Sequence, residues 1–137
     1  MYEDFRLKIY GLVEKPVNLT FEEIRSLPKY SITFDFRCIK GWEIKDSMWA
    51  GARVIDVLEI ARPLADAKYV IFKANEYTIT LSLDRILKGD VILAYEYMNK
   101  ILPKEKGGPL RLVFPSQECY ESVKWVNEIE VTDVYVE

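Results

Sequence analysis

Histidine is absent from all 137 residues. That removes the commonest general base and the commonest metal ligand. Any metal chemistry must therefore rest on thiolate, on carboxylate, or on ligands that a cofactor brings with it. Cysteine is scarce: Cys38 and Cys119 stand far apart in sequence, with no Cys-x-x-Cys pair to suggest a zinc cluster or a thioredoxin-type site. A Gly-x-Gly-x-x-Gly turn is also missing. No apolar run approaches the ~20 residues a membrane span requires, and the first residues do not read as a basic, apolar leader. Neither sign of charge dominates. The 19 Lys and Arg residues are interspersed among 22 Asp and Glu, for a net charge of −3. This argues against a nucleic-acid partner and against an anionic membrane surface. The expected address is the cytoplasm, where both cysteines would be free thiols.

Half of the residues are hydrophobic and 30% are charged, enough for a genuine core without disulfide staples. One domain is expected over 1–137, with no repeat or linker. Phe5 to Val13 alternates as a strand, and Thr20-Phe21-Glu22-Glu23 is a capping box opening a short helix that Pro28 stops. Tyr30 to Arg37 alternates strictly. Val54, Val57, Leu58 and Ala61 form one helical stripe before Pro63. Lys68 to Ala74 and Tyr77 to Leu83 read as a hairpin about Asn75-Glu76, with a helical turn after it at Asp84 to Lys88. Val91 to Tyr97 is a central strand, Leu110 to Phe114 a further one, and Val123 to Val136 supplies one or two more. Strands outnumber helices without regular alternation. The class is α+β, with a mixed β-sheet or barrel and short peripheral helices.

The stretch of chemical interest is Phe36-Arg37-Cys38-Ile39-Lys40-Gly41-Trp42, where an alternating strand delivers a cysteine into a loop. By period alone Cys38 continues the face of Tyr30, Ile32, Phe34 and Phe36, which reads as a buried, inert thiol. The residues beyond it are not core-like. Lys40 to Ser47 reads as a polar loop and Met48 to Gly51 as a turn, so that Trp42 and Trp49 suit the wall of a cleft or a small satellite cluster. A second stretch, Pro103 to Pro109, is the glycine- and proline-rich loop of the chain. It could bring backbone amides to an anion or could be an ordinary connection. Arg111 interrupts an apolar strand and needs a partner such as a carboxylate or phosphate.

Taken together in order and spacing, these segments resemble a family. Leu7 to Gly11, Leu19-Thr20 through Leu27-Pro28, Cys38 with Gly41 and Trp42, and Trp49-Ala50-Gly51-Ala52 with Leu58 carry the first half of the match. Leu93-Ala94-Tyr95-Glu96, Met98-Asn99, Gly107 to Val113, and Val123-Lys124-Trp125 carry the second. The chain resembles the molybdopterin-binding domain of the sulfite oxidase class. The resemblance implies a molybdenum–molybdopterin cofactor with Cys38 as the one protein ligand to the metal, a soft and strongly donating thiolate. It implies oxygen-atom transfer to or from a small sulfur or nitrogen oxyanion or a sulfoxide, with electrons exchanged with a separate protein. Lys40, Gly41, Trp42, Lys106, Gly107, Arg111 and Lys124 would contact the cofactor, and Tyr95 would be a catalytic group near the metal. The bland alternatives are a sheet tyrosine at Tyr95 and a solvated Lys124.

The departures are specific. From these residues neither the N-terminal arm that helps to hold pterin and substrate in the family nor the dimerisation and haem domains of larger members is expected. Lys106 replaces the histidine of the His-Gly-x-Pro-x-Arg pattern, Cys119 replaces a glycine, and Glu121 replaces a basic residue. A carboxylate at 121 would repel a phosphate by roughly 1 kcal/mol. Two other readings stay open: a non-catalytic module that uses the same cleft for a small anion or partner, and thiol redox chemistry by Cys38 and Cys119.

Overall fold

The computed structural model describes residues 2–37, 43–115 and 123–136. Among the described residues ten strands build two sheets. The first contains β1 (Arg6–Gly11), β2 (Val17–Thr20), β5 (Tyr69–Ala74), β6 (Tyr77–Ser82) and β10 (Glu128–Thr132), in the order β2-β1-β10-β5-β6. Its β1–β10 pair is parallel and its other pairs are antiparallel, so the sheet is mixed. The second contains β3 (Lys29–Arg37), β4 (Glu43–Arg53), β7 (Ile92–Tyr97) and β8 (Lys100–Ile101), with β9 (Arg111–Val113) also on β7. All of its pairs are antiparallel. The described residues also form three short helices: α1 (Phe21–Arg25), α2 (Val54–Ala61) and α3 (Leu83–Ile86). None of the described helices is long and apolar enough to cross a membrane.

Local chemistry accounts for the helices. The Thr20 side chain accepts from the Glu23 amide at 3.0 Å, while the Glu23 carboxylate accepts from the Thr20 amide at 2.9 Å. This reciprocal cap lets a five-residue helix start in a defined place. In α2 the expected stripe of Val54, Val57, Leu58 and Ala61 is the buried face, and Arg62 ends the helix in a left-handed conformation. The main core joins inward residues of both sheets, among them Leu7, Ile9, Val70, Phe72, Ile129 and Val131 from the first and Ala52, Leu93, Tyr95 and Leu112 from the second.

One segment differs from the sequence expectation. The expected polar loop and turn over 40–51 are, from Glu43 onward, the eleven-residue strand β4. Its exposed polar residues, Lys45 and Asp46, stand opposite the equally exposed Asp35, whereas Ser47 and Trp49 to Ala52 are buried. A bulge also hides the period. Two residues of β4, Lys45 and Asp46, oppose Asp35 alone. Asp46 adopts a left-handed conformation (φ 53°), and its amide donates to the Asp35 carboxylate at 3.0 Å. The sequence did not signal β2 either, while the closing stretch contributes one strand, β10.

A second bulge matters more. Ala50 pairs with Glu96 and Gly51 with Ala94, which leaves Tyr95 without a partner on β4. In an unbroken strand Tyr95 and Tyr97 would share a face. Here the extra residue sends Tyr95 into the main core and Tyr97 to the opposite, outer face. The bulge is held by close backbone contact. A Cβ on Gly51 would lie 2.0 Å from the Leu93 carbonyl oxygen. Gly51→Ala is therefore expected to destabilise the domain by about 1–3 kcal/mol, read as a lower denaturation midpoint in urea; an unchanged midpoint would remove this account of the bulge.

Candidate functional site

Cys38, Lys40, Gly41 and Trp42 lie outside the described residues, as does Cys119. The described part of their setting is the β3–β4 hairpin, whose outermost pair is Arg37 with Glu43. Tyr95 is 3% exposed. Its ring meets Phe21 of α1 edge-on at 6.0 Å, and Phe21 meets Tyr2 at 5.3 Å. Burial pushes the Tyr95 hydroxyl above its ordinary pKa, opposed by nearby Lys29, so at neutral pH it is a protonated donor.

The four later candidates do come together. Gly107 closes the 3-10 turn of Lys104–Lys106 in a left-handed conformation (φ 109°). A Cβ there would stand 2.9 Å from Lys124 Cγ and 3.2 Å from Arg111 Cδ, so the bare backbone lets both cationic side chains pack against it. The Gly107 carbonyl accepts from the Trp125 amide at 3.0 Å, which pins the Lys124 segment to the loop. Arg111 Nη1 donates to the Lys106 carbonyl at 3.0 Å.

Two aromatic residues complete this group. The Arg111 guanidinium lies over the Trp49 ring at 4.8 Å, the Trp49 and Tyr97 rings are 4.6 Å apart, and Lys106 Nζ lies 5.2 Å from the Tyr97 ring. Trp49 and Tyr97 are direct cross-strand partners. Residues from β4, β7, the 3-10 turn and β9 thus form a closed circuit of contacts around two cations. It sits on the outer face of the second sheet with a small apolar cluster of Trp49, Ile92, Ala94, Leu102 and Val113. Trp49 was legible as a cleft-wall aromatic, but nothing marked it as a partner of Arg111. Tyr97 was missed because the bulge that turns it outward leaves no trace in the alternation. Tyr95 is on the other face of β7 from this circuit.

A cavity of about 750 Å³ lies elsewhere, between Tyr2, Asp4, Lys104, Glu105 and Trp125. None of Trp49, Tyr97, Lys106 or Arg111 lines it, and Glu3, Asp4 and Glu105 outnumber Lys104 there. It does not suit an anion. The cationic circuit does.

Residues 1–136 match the family model described as oxidoreductase molybdopterin binding domain. The chain belongs to this family. It is 39% identical over 135 residues to an uncharacterized oxidoreductase, YuiH, of Bacillus subtilis, covering 96% of this chain and 68% of that protein. It is 30% identical to sulfite oxidase of Arabidopsis thaliana, over 94% of this chain but 42% of the relative. Among solved structures, sulfane dehydrogenase SoxCD from Paracoccus pantotrophus superposes with a TM-score of 0.89 at 26% identity, covering 98% of this chain and 39% of that one. The mixed architecture expected from the sequence is that of the family. This chain spans less than half the length of the sulfite oxidase and SoxCD chains it matches.

Family membership implies a molybdenum–molybdopterin cofactor, and the described residues fit one. Molybdopterin presents a flat ring system and a phosphate. The outer cluster of Trp49, Ile92, Ala94, Leu102 and Val113 is itself buried and serves as a floor; above it Tyr97, Arg111 and Lys124 are part-exposed and Lys106 is exposed, with a glycine where a side chain would crowd the cations. Burial lowers the Arg111 guanidinium to about 10, partly opposed by Tyr97, so it remains charged at neutral pH while poorly solvated. An anion would relieve that cost.

Linkage gives the sign of the pH effect. A cation with a lowered folded pKa binds fewer protons folded than unfolded above about pH 9, so its penalty fades as pH rises through its folded pKa. In the cofactor-free domain Arg111→Met should unfold at a higher denaturant midpoint than the parent at neutral pH. The gap should persist up to about pH 10 and narrow above it. Parallel pH profiles for the two proteins would contradict this.

Proposed function

We propose that this domain binds the molybdenum cofactor against the outer face of its second sheet and catalyses oxygen-atom transfer to or from a small sulfur or nitrogen oxyanion or a sulfoxide. The observation that carries this reading is the convergence of Lys106, Gly107, Arg111 and Lys124 beside Trp49 and Tyr97. In this reading Arg111 and Lys124 hold the phosphate end, and Lys106 adds charge where the family pattern has histidine. Cys38 is the thiolate ligand to the metal, and Lys40, Gly41 and Trp42 contribute to cofactor binding. When bound, the cofactor supplies a two-electron exchange of an oxygen atom with the substrate. The protein's part is to orient the cofactor by its phosphate and to hold positive charge where an oxyanion arrives. Electrons would pass to or from a separate carrier protein.

A second reading is a non-catalytic anion-binding module on the same scaffold. Glu121 favours it, because a carboxylate stands where the family pattern carries a basic residue. Metal analysis separates the two. Protein made in a host that supplies the cofactor should contain about one molybdenum and one pterin per chain, and Cys38→Ala should lose the metal. A metal-free and pterin-free parent protein would favour the module.

The catalytic role of Tyr95 needs its own test, since its ring lies in the main core. Tyr95→Phe keeps the packing against Phe21 and removes only the hydroxyl. A turnover reduced by roughly a hundredfold or more at unchanged cofactor content would establish the hydroxyl in the chemistry; full turnover would assign Tyr95 to packing.

A further inference from the structure

We infer that Trp49 is a positioning residue: its indole face fixes where the Arg111 guanidinium sits, and Tyr97 braces it from behind. The inference rests on reading Arg111 as an anion-holding residue. Arg111 belongs to β9 and Trp49 to β4, with β7 running between them. The residue of β7 directly opposite Arg111 is Ala94, and Gly51 stands opposite Ala94 on the far side. These two small residues leave a low saddle across the sheet. The long arginine side chain lies over it and reaches the indole at 4.8 Å. A second constraint on the guanidinium is the Lys106 carbonyl at 3.0 Å. One contact holds an edge and the other holds a face, which together fix both the position and the tilt of a planar group.

Tyr97 makes the indole a firm support. As a cross-strand partner with its ring 4.6 Å away, it occupies the space into which Trp49 could otherwise swing. The outward direction of Tyr97 depends in turn on the bulge at Tyr95. Burial of Arg111 strengthens the attraction between cation and ring, because water no longer competes for the charge. The arrangement requires a planar cation. Lysine would keep the charge but could not lie flat on the indole while donating along its edge.

The test uses the cofactor-free chain, with inorganic phosphate as the probe and the Gly107 amide and Arg111 Hε resonances as reporters. In the parent protein the Arg111 side-chain protons should be displaced by the indole ring current, and phosphate should shift both reporters. Trp49→Leu should abolish the displacement and weaken phosphate binding roughly three- to tenfold. Trp49→Phe, which keeps an aromatic face, should restore most of both. Arg111→Lys should lose a similar factor despite its charge, and it keeps the question decidable if Trp49→Leu does not fold. In separate preparations of the same variants from a host that supplies the cofactor, pterin retained per chain during salt washing should fall in the same order.

Unaltered Arg111 resonances in Trp49→Leu would overturn the inference, and so would unaltered phosphate affinity in both Trp49→Leu and Arg111→Lys. A parent protein that binds phosphate but never carries pterin would defeat the proposed function. It would leave the role of Trp49 decided by the phosphate measurements alone.

Discussion

One additional residue in a central strand governs the two surfaces of the second sheet. Without the bulge at Tyr95, Tyr95 and Tyr97 would compete for the same side, and either the core or the outer face would lose its aromatic. With it, Tyr95 fills space beneath α1 while Tyr97 stands beside Trp49. The close approach of the Gly51 backbone to Leu93 holds the neighbouring strand against this irregularity. A stability feature of the sheet and the geometry of the candidate site are therefore one feature, seen from two sides.

The outer face combines groups that would be poorly matched in a structural core. A poorly hydrated guanidinium, two lysines and two aromatic rings gather around a loop kept bare by Gly107. Cations brought together in this way repel one another and lose hydration, a cost that the ring faces and the Lys106 carbonyl help to offset. Such an assembly makes physical sense as a seat for something flat and negatively charged. That is the character of the cofactor named by the family to which the chain belongs.

Much of this could be read from the residues, for reasons that differ by element. The capping box at Thr20, the stripe of α2 and the hairpin about Asn75-Glu76 were legible because each is set by local chemistry. The β4 strand was not, since polar residues such as Lys45, Asp46 and Ser47 look like a loop unless their pairing with β3 and its bulge are known. At the site, the association of Lys106, Gly107, Arg111 and Lys124 came from resemblance. Arg111 alone stood out physically, as a charge inside an apolar run. Its partner Trp49 could not be identified, because the contact crosses an intervening strand and depends on the small size of Ala94.

The parallel pairing of β1 with β10 has a consequence for biosynthesis. Within this domain the first strand made, β1, stays incomplete until nearly the last residues of the domain have been made, because β10 is the middle strand of its sheet. The two β5–β6 and β1–β2 hairpins can form early as separate pieces, but only β10 welds them together. Nascent chains would therefore hold two unjoined half-sheets with exposed apolar faces during much of translation, a period in which chaperone attendance would matter most.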